Sequence, residues 1–144
     1  MIYLDSCALV KLVLTEKETP ALTTFLADRR SDMVSSQLAL TEVIRVVRRS
    51  CYDSQRRLSI DPAVRDKRLA TAASLLDRID LVIVNRSLLL AAAAFDDDPH
   101  VGSLDAIHLA SARELDDALE SFVTYDKTLA RAAAAAGLPL EQPS

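Results

Sequence analysis

The chain opens on Ile2-Tyr3-Leu4, a short run of strand formers that ends on Asp5 and passes at once into helical spacing. From Ala8 to Leu14 the apolar residues Leu9, Leu12 and Val13 recur at helical intervals, with Asp5 or Ser6 placed to cap them. A strand that leads straight into a helix is the start of a βα unit. The next parallel strand can then be reached only by a crossover connection, not by a tight hairpin.

The rest of the chain keeps to that alternation. A helix is expected over about 19–29, presenting Leu22, Phe25 and Leu26, then a strand at Asp32 to Ser36. A helix from about Leu38 to Cys51 should turn Leu40, Ile44 and Val47 inward. Asp61-Pro62 starts another that runs to about Asp77, since proline is tolerated in a first turn. Leu81-Val82-Ile83-Val84 is apolar on both faces, as an interior parallel strand would be. Ser87 to Phe95 reads as a Leu/Ala helix ended by Asp96-Asp97-Asp98-Pro99, and Gly102-Ser103 opens a further helix over Ser103 to Ala112. Ser121-Phe122-Val123-Thr124-Tyr125 is a strand that ends on Asp126. An Ala-rich helix follows to about Ala136, stopped by Gly137, and Leu138-Pro139-Leu140 adds an edge strand. The expectation is an α/β fold, a sandwich of helices on both sides of a short, mostly parallel sheet, in one domain over residues 1–144.

Composition removes several classes. No apolar run approaches the roughly 18 residues that a membrane span needs. Cys7 and Cys51 make neither a disulfide framework nor a zinc site. The start of the chain lacks a basic region and carries Asp5 where a signal peptide would be apolar, so a cytoplasmic protein is expected. Charge is uneven: between Val43 and Ala70 eight Lys/Arg face three acids, which gives +5 there and −9 elsewhere, within a whole of −4. A basic lobe beside an acidic one suits phosphate contact next to a metal site, and it also suits an ordinary solvated helical hairpin.

The acids are the informative residues. Asp105 stands in the first turn of a helix otherwise made of small and apolar side chains, where burial of a lone carboxylate would cost several kcal/mol. Asp5 and Asp126 each follow a strand, and Glu42 lies in the first turns of the helix after the second strand. All four therefore come from the carboxyl end of the proposed sheet, where sites form in open α/β folds. Taken singly, each has a local reading as a helix cap, a dipole partner or a solvated acid. Together they repel unless a cation compensates, and Mg²⁺ or Mn²⁺ is the economical one for an all-oxygen set. No Gly-rich phosphate loop, Cys/His spacing or serine elbow points to another chemistry.

The sequence resembles the PIN-domain ribonucleases, and closely the VapC-type toxins of type II toxin–antitoxin systems. The matching stretches are Ile2 to Leu9, Ser35 to Val43, Leu104 to Ala110 and Phe122 to Ala130, four motifs in order over nearly the whole chain. The resemblance implies an endoribonuclease that acts on tRNA, rRNA or mRNA, with Asp5, Glu42, Asp105 and Asp126 holding Mg²⁺ or Mn²⁺. Asp98 and Asp117 stand in reserve for the fourth acid. It also implies a cognate antitoxin that blocks the site, and a toxin homodimer within a toxin–antitoxin complex. Ser6 and Thr124 would fix the carboxylate rotamers. Arg45 and Arg49, three and seven residues beyond Glu42, would meet RNA phosphates or antitoxin acids. The apolar stripes of the first two helices (Leu9, Leu12, Leu22, Phe25) would leave a groove for an antitoxin helix. His108 is expected to be a packed or rim histidine, because oxygen-ligated Mg²⁺ does not call for imidazole. Two other readings are a catalytically silent binding module of the same fold and a small phosphohydrolase with Asp5 as nucleophile. The latter chemistry usually wants a second acid two residues on, where this chain has Cys7.

Overall fold

The computed structural model describes residues 1–95 and 97–144. The elements follow in the order β1 (Ile2–Leu4), α1 (Ser6–Val13), α2 (Thr19–Arg29), β2 (Met33–Ser36), α3 (Ala39–Arg49), α4 (Pro62–Leu76) and β3 (Asp80–Val82). Then come α5 (Arg86–Ala93), α6 (Ser103–Arg113), a single 3-10 turn at Asp116–Ala118, β4 (Ser121–Val123), α7 (Lys127–Ala135) and β5 (Leu140–Glu141). The five strands form one parallel sheet in the order β3-β2-β1-β4-β5. The chain winds outward from β1 to β2 and β3, then returns to the other side of β1 for β4 and β5. Such a reversal opens a crevice at the carboxyl ends of the strands beside β1.

Alternation along β1 builds the two layers. Ile2 and Leu4 face a core made with Ala8 and Leu9 of α1, Leu22 of α2, Val43 and Val47 of α3 and Leu75 and Leu76 of α4. Tyr3 faces the opposite side, with Phe122 of β4, Leu109 and Ala112 of α6, and Leu129, Ala132 and Ala133 of α7. Helix α5 lies outside α6, joined to it through Leu88, Ala92, Ala106 and Ala110. Small residues on α6 and α7 let both helices approach the short strands closely.

Local chemistry sets the ends of the elements. Asp5, Asp61, Asn85 and Asp126 each cap a following helix by accepting a backbone N–H. Pro62 occupies the first turn of α4, as its sequence implied. Beyond α7, Gly137 takes a positive φ of 73°, which stops the helix and turns the chain toward β5. The buried Lys11 closes the α1–α2 loop through Glu16 and Glu18, with its ammonium 4.8 Å from the centre of the Tyr125 ring.

Three sequence expectations change. The run Leu81 to Val84 is not an interior strand: β3 ends at Val82 and lies on the sheet edge. Past Val82 the chain leaves the sheet, because the Gln37 side-chain oxygen takes the Val84 N–H and Asn85 begins a cap, so Ile83 is 64% exposed. On α3 the innermost residues are Ala39, Val43 and Val47; Ile44 is half-buried and Leu40 is 47% exposed. An alanine at the inner position admits the helix close to the core and carries Leu40 past its edge. The opening of α6 is uncapped by a side chain, with Gly102 rather than Ser103 at the cap position. Of the residues expected to end α5, Asp96 lies outside the described residues, and the helix itself ends at Ala93.

Leu22→Ala is expected to lower unfolding free energy by about 2–5 kcal/mol, since Leu22 is wholly buried between layers. Leu90→Ala, at a position 60% exposed, should stay within about 0.5 kcal/mol. Urea unfolding of the two variants beside the parent checks the difference.

Candidate active site

Asp5 continues the β1–β4 ladder for one residue, its N–H donating to Val123 O at 3.1 Å. Its carboxylate is 2% exposed. One oxygen accepts the Ala8 N–H at 2.7 Å and the other accepts the Thr124 hydroxyl at 2.7 Å. Burial pushes its pKa up to about 6 against those two hydrogen bonds, and the charge of Asp126 adds to the rise. Held on both oxygens and so enclosed, Asp5 is poorly placed to attack phosphorus as a free nucleophile.

Thr124 is fully buried and works in two directions. Its hydroxyl donates to Asp5 and accepts the Asp126 N–H at 3.1 Å. Asp126 is exposed and caps α7, one oxygen accepting from Thr128 N at 2.7 Å and Leu129 N at 2.9 Å. The local reading of Asp126 as a cap thus holds for that oxygen and leaves the second oxygen outside the cap.

Glu42 enters from the first turn of α3. Ser6 donates to its Oε2 at 2.5 Å, and Nε2 of His108 lies 2.8 Å from the same oxygen. Burial raises its pKa, but the hydrogen bonds from His108 and Ser6 outweigh that and hold Glu42 below the usual carboxylate range. His108 is buried, and its Nδ1 lies 2.8 Å from the Tyr3 hydroxyl. A carboxylate only accepts, so Nε2 carries the hydrogen; in the neutral ring Nδ1 then accepts from Tyr3. Tyr3 keeps its proton, because burial pushes its pKa far above the ordinary phenol value.

Asp105 sits in the first turn of α6, and among the described residues its carboxylate has no hydrogen-bond partner. Burial, then the charges of Asp126 and Glu42, raise its pKa. Their elements locate the four acids: Asp5 and Asp126 follow β1 and β4, Glu42 lies in the first turn of α3 after β2, and Asp105 lies in the first turn of α6, whose other end leads back to β4. The structure therefore brings Asp5, Glu42, Asp105 and Asp126 to one end of the sheet, at the crevice beside β1. Among the described residues no three metal-ligating side chains already converge tightly enough to hold an ion. The donor set is nevertheless all oxygen, and negative charge on Asp5 and Asp105 is disfavoured where they stand, which fits a hard divalent cation.

The reserve acids have other partners or surroundings. Asp98 accepts from His100 N and from the Arg131 guanidinium at 3.1 Å, and Asp117 is exposed in the 3-10 turn before β4, toward the opposite end of the sheet. His108 is packed, as expected, but its bond to Glu42 is a link that spacing alone did not reveal. The signal was available in part, since His108 lies one turn beyond Asp105 on the same face. Leu9 and Leu22 are wholly buried, and Leu12 and Phe25 pack on the same core, so those stripes leave no groove of their own. An apolar cleft of about 340 Å³ lies instead between α1 and α3, lined by Ser6, Cys7, Val10, Glu16, Glu42 and Val46. Arg45 and Arg49 are exposed on α3 and line a separate cleft.

Known proteins resemble this chain over nearly its whole length. The family model for the PIN domain matches residues 2–135. Ribonuclease VapC35 of Mycobacterium tuberculosis is 36% identical over 146 residues, covering 99% of this chain and 97% of the relative. Ribonuclease VapC47 of the same organism is 34% identical over 132 residues, covering 90% and 87%. Among solved structures, M. tuberculosis VapC20, described as a sarcin-ricin loop cleaving toxin, superposes with a TM-score of 0.69 over 96% of both chains. At 16% identity that likeness is one of fold.

Tyr3→Phe is expected to leave the buried His108 Nδ1 without a donor, at a cost of about 1–3 kcal/mol. The ring packing would survive, so the loss should appear in the urea midpoint without change in far-ultraviolet circular dichroism.

Proposed function

The chain belongs to the PIN-domain family, and from that premise we propose that it is a divalent-metal-dependent endoribonuclease toxin restrained by a cognate antitoxin. The observation that supports the reading is the placement of four carboxylates from four separate segments at the carboxyl end of the sheet, beside the strand where its winding reverses. Asp5, Glu42, Asp105 and Asp126 would hold Mg²⁺ or Mn²⁺. When bound, that ion supplies an activated water and stabilises the charge that develops on the phosphodiester.

The chain's own residues supply position. Thr124 fixes the rotamer of Asp5 and the entry angle of Asp126 through one hydroxyl. Ser6 and His108 fix Glu42 from two sides. Among the described residues Asp105 makes no side-chain hydrogen bond that opposes its rotation toward the other acids. The buried setting of Asp5 and the half-buried setting of Asp105 exclude much of the bulk water and strengthen charge interactions there. Hydrolysis there would add water to phosphorus as the bond to the leaving ribose oxygen breaks, with a proton from the water ending on that oxygen. The products are one chain ending in a phosphate and one ending in a hydroxyl. An antitoxin segment lying over the crevice would block RNA entry, and a toxin homodimer within the toxin–antitoxin complex belongs to the same proposal. RNA as substrate places the work in the cytoplasm.

Incubation of the antitoxin-free protein with total RNA and purified tRNAs tests the reading. Discrete fragments are expected with Mg²⁺ or Mn²⁺ and none with chelator. Asp105→Asn should lower cleavage on the order of a hundredfold or more, and Thr124→Val by about 10–100-fold, with both variants folded. Calorimetric titration with Mn²⁺ should show binding to the parent and weaker binding to both variants. No cleavage and no metal binding would sink the assignment in favour of a silent binding module.

A further inference from the structure

We propose that the cleft at the C-terminal end of α3 is an RNA-backbone site, in which Arg45, Arg48, Arg49 and Arg56 receive phosphates flanking the scissile bond and Tyr52 stacks on a base. The proposal deepens the endoribonuclease reading and rests on it. The cleft has a volume of about 500 Å³ and is lined by those five residues and Asp53.

Three observations converge here. Arg45, Arg48 and Arg49 fall at helical intervals on α3, and Tyr52, in the loop just beyond it, lines the same cleft. Among the described residues none of the four arginines has a carboxylate within ion-pair distance. Nearby arginines do: Arg57 pairs with Asp53 at 3.1 Å and Arg65 with Asp66 at 2.7 Å. The single acid of the cleft is used internally, since Asp53 accepts Gln55 N, Arg57 N and the Arg57 guanidinium. Its charge is therefore already compensated, and the cleft is net cationic.

The loop after α3 is built to present the fourth arginine. Tyr52 and Leu58 form an antiparallel bridge, and Asp53 N donates to Arg57 O at 2.9 Å. Between them Arg56 takes a φ of 63°, a conformation that side chains other than glycine's seldom adopt. That strained residue lines the cleft.

Position decides what the cleft binds. Glu42 and Arg49 share α3 and lie seven residues apart, roughly 10 Å along the axis. A strand with its reacting phosphate at the acids would pass its neighbouring phosphates over the cleft. The acidic remainder of the chain would repel it elsewhere. The guanidiniums take phosphate, and the Tyr52 ring offers a π face that any base can use. An acidic protein segment would satisfy the charge but leave the aromatic face without a partner.

The test uses catalytically inactive Asp5→Asn protein in Mg²⁺ and a fluorescein-labelled single-stranded RNA of mixed sequence. Anisotropy is followed across a series of KCl concentrations. The double change Arg48→Gln with Arg56→Gln should reduce the slope of log affinity against log salt by about 1.4, or about 0.7 for each phosphate no longer neutralised. Arg48→Lys with Arg56→Lys should keep the parent slope. Tyr52→Ala should weaken binding on the order of tenfold with the slope unchanged. Thermal midpoints establish that all variants are folded. An unchanged slope in the Gln double variant, while otherwise parental protein still cuts RNA, overturns the site and leaves the nuclease reading standing. A reduced slope supports the site even if the parent cuts no RNA, in which case the nuclease reading fails. Tighter binding of a polyglutamate peptide than of RNA, abolished in the Gln variant, would make the cleft a protein-docking surface and overturn the RNA assignment.

Discussion

Burying a carboxylate at the end of the central strand is the constraint to which the rest of this structure conforms. Asp5 follows β1, which has strands on both sides and helices above and below, so water cannot solvate its charge. The fold answers with an N–H from the first turn of α1 and a hydroxyl from the strand next door. The same hydroxyl receives the N–H of Asp126, so the segment that positions a second acid is tied to the first. The two hydrogen bonds do not fully offset desolvation, and Asp5 remains above its ordinary pKa. A residual cost of that kind is what a bound cation relieves.

Core and site are also connected on the other side of the sheet. Tyr3 stacks on Phe122 with ring centroids 5.2 Å apart and meets His108 edge-on at 6.0 Å. Its hydroxyl then fixes the imidazole that holds Glu42. Aromatic packing in the α6–α7 layer thereby sets the orientation of an acid that arrives from the opposite layer. Asp105, one turn before His108 on α6, is carried by the same packing yet makes no side-chain hydrogen bond among the described residues. Among the described residues three of the four acids are braced by hydrogen bonds and one is not, a division that would let the proposed site adjust to an ion.

The parts that could be read before the structure are those fixed by local chemistry. Strand-end aspartates that cap the next helix, Pro62 in a first turn and Gly137 after α7 announce themselves through residue type. They put the acids at the carboxyl end of the sheet, because a parallel sheet puts every strand end on one side. What could not be read depends on neighbours distant in sequence. Leu81 to Val84 is apolar enough for an interior strand, and only the sheet order puts it on the edge. Leu40 and Ala39 differ by one helical position, and the close approach of α3 to its neighbours decided between them. The Tyr3–His108–Glu42 chain joins three elements separated by up to 105 residues, which no spacing rule connects. The apolar stripes of α1 and α2 look surplus only while the demand of the core on that side is unknown.

Helix α3 shows how stability and recognition draw on one arrangement. Glu42 stands in its first turn and Arg48 and Arg49 in its last, so acid and base each sit at the end of the dipole that favours them. Each such placement contributes about 0.3–1 kcal/mol at an exposed end, which alone would account for the pattern. The dipole argument does not explain Arg45 in the middle of the helix, nor Arg56 beyond it on a strained residue, nor why none of these guanidiniums is paired among the described residues. It also does not explain why Glu42 is turned inward to Ser6 and His108 rather than left in water. Those features have in common only the surface between the acids and the cleft. A polyanion crossing that surface meets cationic side chains first and carboxylates last, and with a divalent ion at the carboxylates the path is attractive along its whole length.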